Sequence, residues 1–165
     1  METQLLSELY EKYSREIHRY LLGLCGNNAD AEELTQETFL KALLSLNSSH
    51  ANVRAWLYTV ARNLFYDKTR RADAERRALE ELPSGEQPGP ETELEKKLVN
   101  RQLAKAMMKL EARKREVISL QYFSGLTVKE IAAVMKLSQE NVRVLAFRAK
   151  KELKRIMEED ENEVQ

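Results

Sequence analysis

A single cysteine, Cys25, excludes an intrachain disulfide framework and fits a reducing compartment. Two histidines, His18 and His50, supply none of the usual zinc-ligand spacings, and no glycine-rich loop is present to cradle a phosphate. Five glycines, three prolines and 7% aromatic residues leave little of the turn chemistry and alternation that strands require. No apolar run reaches membrane-spanning length, and the opening residues METQLLSELYEKY are charged and amphipathic where a secretory leader would be apolar. These absences lead to the expectation of an all-α cytoplasmic protein with no membrane insertion. They also lead us to expect no catalytic residues, cofactor, metal or small-molecule substrate.

What is present is charge, unevenly placed. The formal net charge is zero, but by segment it runs −4 over 1–50, +4 over 51–78, −4 over 79–100, +9 over 101–157 and −5 over 158–165. Neutrality therefore hides two basic zones, which suggests nucleic acid opposite them and a second partner opposite an acidic zone.

The stretch from Arg113 to Ile156 holds two short helical patterns joined by a break at Lys136-Leu137-Ser138. Thr127 to Glu130 has the form of a capping box, and Ser138 can cap the helix after the break. Advancing about 100° per residue, Ala146, Ala149, Leu153 and Ile156 fall near Val142, with Leu145 at the edge. The other side carries Glu140, Arg143, Val144, Phe147, Arg148, Lys151, Lys154 and Arg155. An exposed basic second helix is what a helix-turn-helix lays in the major groove.

Upstream, Leu5 to Leu24 repeats apolar residues at threes and fours and predicts a first helix, stopped by Gly26-Asn27-Asn28. A second helix starts at Asn28 or Asp30, with carboxylates in its opening turns. Ala31, Thr35, Thr38, Phe39, Ala42 and Leu46 form its packing face, flanked by Leu34 and Leu43. Its other side holds Asp30, Glu33, Gln36, Glu37, Leu40, Lys41 and Leu44. Leucines among carboxylates fit a protein-binding surface, although the first helix could also cover them.

Asn47 to Asn52 reads as a loop. The next helix, VRAWLYTVARNLFYDKTRR, has a core stripe of Leu57, Val60, Ala61, Leu64 and Phe65, with Tyr58 at its edge. Opposite lie Trp56, Thr59, Arg62, Asn63, Tyr66, Asp67 and Arg70, and Arg71, Arg76 and Arg77 extend the basic zone. Aromatic rings among Arg and Asn suit the stacking of unpaired bases; the alternative is that Trp56 and Tyr66 pack under neighbouring helices. Leu82 to Glu91 contains every proline in the chain and cannot continue a helix. Residues 81–91 are therefore expected to be a flexible linker between two small helical domains, 1–80 and 92–157. Within the second, Glu93 to Leu110 is amphipathic and a helical stretch from Arg113 to Tyr122 follows. The acidic end, 158–165, reads as solvated and frayed.

ADAEELTQETFLKAL, RAWLYTVARNLFYDKTRR and GLTVKEIAAVMKLSQENVRVLAFRAKKELK, in that order and parted by a linker, resemble the extracytoplasmic function (group IV) sigma factors of the sigma-70 family. The resemblance implies a region 2 domain over 1–80 and a region 4 domain over 92–157. It implies that the second helix docks on the β′ clamp helices of bacterial RNA polymerase, with Asp30, Glu33, Gln36, Glu37, Leu40 and Lys41 as interface candidates. Trp56, Arg62, Asn63, Tyr66, Arg70 and Arg71 would face the −10 promoter element and its extruded base, Asn63 being the leading candidate. Ser138, Glu140, Asn141, Arg143, Val144, Phe147, Arg148 and Lys151 would face the −35 element, and region 4 would also touch the β flap. The resemblance further implies promoter DNA and an anti-sigma factor as partners.

The recognition helix departs from many relatives, which carry Val-Lys-Ser-Arg-Leu-His-Arg-Ala where this chain has Val142-Arg-Val-Leu-Ala-Phe-Arg-Ala149. Val144 and Leu145 replace two polar residues, so a different −35 preference is expected, with Val144 or Phe147 against thymine methyls. A LuxR-like helix-turn-helix regulator acting without polymerase is the alternative. It leaves the Trp56 to Arg71 face and the outward leucines without a purpose.

Overall fold

In a computed structural model that describes residues 2–45, 52–79 and 101–164, the apolar spacing closes into helices throughout, as the all-α expectation requires. Helix α1 (Glu2–Cys25) buries Ile17, Tyr20, Leu21 and Leu24 and leaves Leu5 exposed near its start. Gly26 ends it with φ +69°, its amide donating to the Leu22 carbonyl at 2.8 Å. Only glycine fits there without strain, since a Cβ would also come within 2.8 Å of the Met108 methyl.

Helix α2 (Asn28–Ser45) starts at Asn28, one of the two expected positions, with Asn27 as its cap. The Asn27 side-chain carbonyl accepts from the amides of Ala29 at 2.8 Å and Asp30 at 3.3 Å. Its small-residue face is buried, and the Thr35 and Thr38 hydroxyls donate to the carbonyls of Ala31 and Leu34, so neither is an orphan in the core. Leu46 and the loop at 47–51 lie outside the described residues. Asn52 caps α3 (Val53–Leu79) by accepting from the Ala55 amide at 3.0 Å. This helix carries the basic zone to its end, with Arg76 and Arg77 in its last turn, where cations suit the helix dipole.

The expected linker at 81–91 and the first part of the helix expected from Glu93 lie outside the described residues. After α4 (Arg101–Lys109) and α5 (Ala112–Ile118), the helical stretch expected to run to Tyr122 loosens instead into a π turn, Ser119–Phe123. There the Ser124 amide donates to the Ser119 carbonyl at 2.9 Å, the i to i−5 pattern of a π-bulge. Helix α6 (Val128–Met135) has the capping box. The Thr127 hydroxyl accepts from the Glu130 amide, and the Glu130 carboxylate accepts from the Thr127 amide, each at 3.1 Å. Lys136 turns the chain in a left-handed conformation at φ 57°, and the Ser138 hydroxyl accepts from the Asn141 amide to start α7 (Gln139–Val164). Val142, Ala146, Ala149 and Ile156 are buried as the periodicity predicts, with Leu145 and Leu153 partly so. The acidic end does not fray before Val164; it extends α7, and Asp160 meets Lys109 at 2.7 Å.

Helices α1, α2 and α3 pack on one another, while α4, α5 and α6 each pack against α7. The two sets also pack together, α1 against α5 and the π turn and α3 against α6, so one hydrophobic core runs through both.

Thr127→Ala removes one half of the capping box and is expected to cost about 1 kcal/mol in denaturant unfolding. The Thr127 amide, with Asn52 and Arg54 adding to it, holds the Glu130 carboxyl below its ordinary value of 4.5. A lowered folded pKa gives stability that is present above the unfolded pKa and lost as pH falls through the folded one. Wild type should therefore lose stability more steeply than Glu130→Gln as pH drops below about 5.

Candidate functional site

Three faces carry the residues singled out from the sequence. The first is the outer side of α7. Ser138, Glu140, Asn141, Arg143, Val144, Phe147, Arg148 and Lys151 are all exposed there, Phe147 by 68%. A ring left in water between Arg143 and Arg148 has no packing role in this chain. Beyond Lys151 the cationic strip continues through Lys154 and Arg155, with Lys114 of α5 reaching across to pair with Glu152.

The second face is on α2. Glu33, Gln36, Glu37, Leu40 and Lys41 are exposed, and Asp30 is half-exposed. Leu40 is 58% and Leu44 79% exposed, so α1 does not cover them. Lys68 of α3 bridges the Asp30 and Glu33 carboxylates at 3.3 and 3.2 Å, which ties this face to the next.

The third face, on α3, is divided by the structure. Asn63, Arg70 and Arg71 point outward, Arg70 pairing with Asp67 one turn back. Trp56 packs half-buried against the core. Arg62 and Tyr66, expected on the open side, are instead partly buried and bound to Glu116 of α5. The Arg62 Nε donates to Glu116 Oε2 at 2.9 Å, the Tyr66 hydroxyl donates to Oε1 at 3.3 Å, and the Tyr20 hydroxyl of α1 donates to Oε2 at 2.5 Å. The Arg62 guanidinium also lies over the Tyr66 ring, 4.7 Å from its centre.

Glu116 is 0% exposed, and its partner Arg62 has a side chain 15% exposed. A carboxylate with no water needs every one of these donors, since a buried ion pair broken by loss of one partner typically costs about 3–5 kcal/mol. Burial first, and the Glu116 charge second, push the Tyr20 phenol well above its ordinary value and the Tyr66 phenol up to about 12. Both phenols therefore remain protonated donors. Next to this cluster Arg115 donates to the Leu24 carbonyl at 3.1 Å, placing a cation at the C-terminal end of α1. At the far edge Arg54 donates to the Ser124 carbonyl and Asn52 to Glu130 at 3.2 Å.

Glu116 was not among the residues the sequence singled out. The available signal was Tyr20, a phenol in the middle of the α1 apolar stripe, because a buried tyrosine hydroxyl requires a partner. Periodicity alone could not say that the partner lies 96 positions away.

The family pattern described as Sigma-70 region 2 matches residues 9–75, and that described as Sigma-70, region 4 matches residues 100–153. The ECF RNA polymerase sigma factor SigM of Bacillus subtilis is 31% identical over 90% of this chain and 93% of its own length. The RNA polymerase sigma factor YlaC of the same organism is 32% identical over 96% and 95%. The ECF RNA polymerase sigma factor BldN of Streptomyces coelicolor is 34% identical over 96% of this chain, which spans 62% of that protein. Among solved structures, the sigma factor RpoE in complex with the anti-sigma factor NepR from Bartonella quintana superposes with a TM-score of 0.74 at 22% identity, covering 92% of this chain and 96% of that one. CnrH in complex with the cytosolic domain of CnrY gives 0.72 at 21% identity, covering 96% and 90%. These two likenesses are of fold.

A phenol whose pKa is higher in the folded chain than in the unfolded one stabilises the packed state below about pH 10, and that contribution disappears as pH rises through the folded value. In an ultraviolet titration Tyr66 should ionise near its raised value of about 12 in the wild type. Glu116→Gln should bring its transition down toward the ordinary 10.

Proposed function

This chain belongs to the extracytoplasmic function RNA polymerase sigma factors of the sigma-70 family, and from that premise we propose how its faces divide the work. Residues 1–80 act as the region 2 unit and residues 92–157 as the region 4 unit, joined by the linker at 81–91. The α7 face reads the −35 element as duplex, with Arg143, Arg148 and Lys151 on phosphates or base edges and Phe147 and Val144 against thymine methyls. The α2 face, through Asp30, Glu33, Gln36, Glu37, Leu40 and Lys41, docks on the β′ clamp helices, and region 4 also meets the β flap. The α3 face, with Asn63 outward and Trp56, Arg62, Tyr66, Arg70 and Arg71 around it, takes the single-stranded −10 element. Extruding a base costs a few kcal/mol, so this face must return that energy through stacking and hydrogen bonds.

The observation that carries the reading is Phe147, exposed among cations on the second helix of a helix-turn-helix. No covalent chemistry is needed: the protein selects and opens DNA. A helix-turn-helix regulator working without polymerase is not favoured, because it gives no role to the region 2 half or to Leu40 and Leu44. Among the described residues no helix is long and apolar enough to cross a membrane, and the proposed place of work is the cytoplasm, with the polymerase. The complex of RpoE with the anti-sigma factor NepR supports an anti-sigma factor as a further partner of this chain.

Core polymerase supplemented with this chain is expected to give specific transcripts from a restricted set of promoters in a genomic library; their absence would refute the reading. Asn63→Ala should impair promoter opening and leave polymerase affinity intact. Arg148→Ala and Lys151→Ala should each lower the salt dependence of upstream-element binding by about one unit of slope. An unchanged slope removes that residue from the DNA face.

A further inference from the structure

Of the three faces, the one on α3 has two of its donors, Arg62 and Tyr66, taken up by a carboxylate from the other half of the chain. Glu116 draws on the Arg62 guanidinium and the Tyr66 hydroxyl, two groups that single-stranded DNA would use for a phosphate and a base, and adds the buried Tyr20 hydroxyl as a third donor. The Arg62 guanidinium is stacked on the Tyr66 ring, which occupies the ring surface that an unpaired base would take. Asn63, one residue away, remains exposed, as do the α7 face and Leu40 of α2.

We propose that Glu116 is an intramolecular latch that mimics nucleic acid: it holds the two halves together and keeps Arg62 and Tyr66 from single-stranded DNA until the halves separate. The proposal rests on the reading of Arg62 and Tyr66 as single-strand contacts. The physical basis is competition for shared donors. An anion buried at zero exposure is stable only while all its donors face it, so a DNA strand cannot share Arg62 with Glu116 and must displace it. Binding to the closed chain is then reduced by the fraction of molecules that are open. The surrounding contacts follow the same seam. Arg115 meets the Leu24 carbonyl and Asn52 meets Glu130. Gly23 of α1 lets the π turn approach so closely that a Cβ there would lie 3.1 Å from the Ser119 hydroxyl. The latch leaves the duplex-reading and polymerase-docking faces open, so a partner held by either face can work on the seam.

Two variants of the full chain test this by different means. Glu116→Gln removes the charge that holds Arg62, and Gly23→Leu wedges the seam without touching any group that would contact DNA. Circular dichroism checks that each keeps wild-type helicity, small-angle X-ray scattering reads compactness, and fluorescence anisotropy reads affinity for a labelled oligothymidine of about 20 nucleotides. The expected result is an increased radius of gyration and at least about tenfold tighter oligothymidine binding in both variants. Adding Arg62→Ala to Gly23→Leu should abolish the increase in affinity while leaving the chain expanded. Folded variants that stay as compact as wild type, with unchanged affinity, overturn the latch. Expansion without tighter binding overturns the assignment of Arg62 and Tyr66 to single-stranded DNA and leaves the seam as a purely structural contact.

Discussion

The arrangement of this chain depends on one buried carboxylate. Glu116 has no water around it, so its charge must be met by Arg62 and by the hydroxyls of Tyr20 and Tyr66, which come from two different helices of the other half. Apolar packing alone would hold α1 against α5 and the π turn, and α3 against α6, in a range of related positions, because hydrophobic burial has no preferred direction. Three donors converging on two oxygens fix one position. Buried charge pairs add little net stability compared with apolar contacts of the same shape, and specificity of arrangement is the role we assign to this one.

That constraint explains why the three faces differ. The α7 and α2 faces need only be presented to solvent. Their architecture comes from local rules: an apolar stripe at helical spacing, a capping box at Thr127 and Glu130, and a left-handed turn at Lys136. Each is fully formed and exposed in the closed chain. The α3 face has donors that are useful to a base or a phosphate, and the same donors are useful to Glu116. Its availability is therefore a property of the whole chain.

The same division decides what could be read from the residues alone. The helix-turn-helix, its Ser138 cap and the buried set Val142, Ala146, Ala149 and Ile156 follow from spacing within one helix, and the structure has them as expected. The exposed positions of Leu40 and Phe147 were legible for the same reason. Periodicity also placed Arg62 and Tyr66 on the side of α3 opposite its core stripe. It could not reveal that this side meets Glu116 of the other half, because that depends on contacts between residues 50 or more positions apart. The π turn at Ser119–Phe123 was hidden for a related reason, since it lies where α5 closes on α1 and no glycine or proline marks it. At the acidic end, Asp160 finds Lys109 on α4, another distant partner, and the helix extends where composition alone suggested fraying.

The central claim is that nucleic acid and Glu116 exchange places on Arg62. It is tested most directly by an electron cryo-microscopy structure of this chain bound to core polymerase and a melted promoter. The account predicts that α5 has left α3, that Glu116 is beyond hydrogen-bonding distance of Arg62, and that Arg62 and Tyr66 lie against the unpaired strand beside Asn63. A complex in which the promoter is open while Glu116 still holds Arg62, Tyr66 and Tyr20 would contradict it.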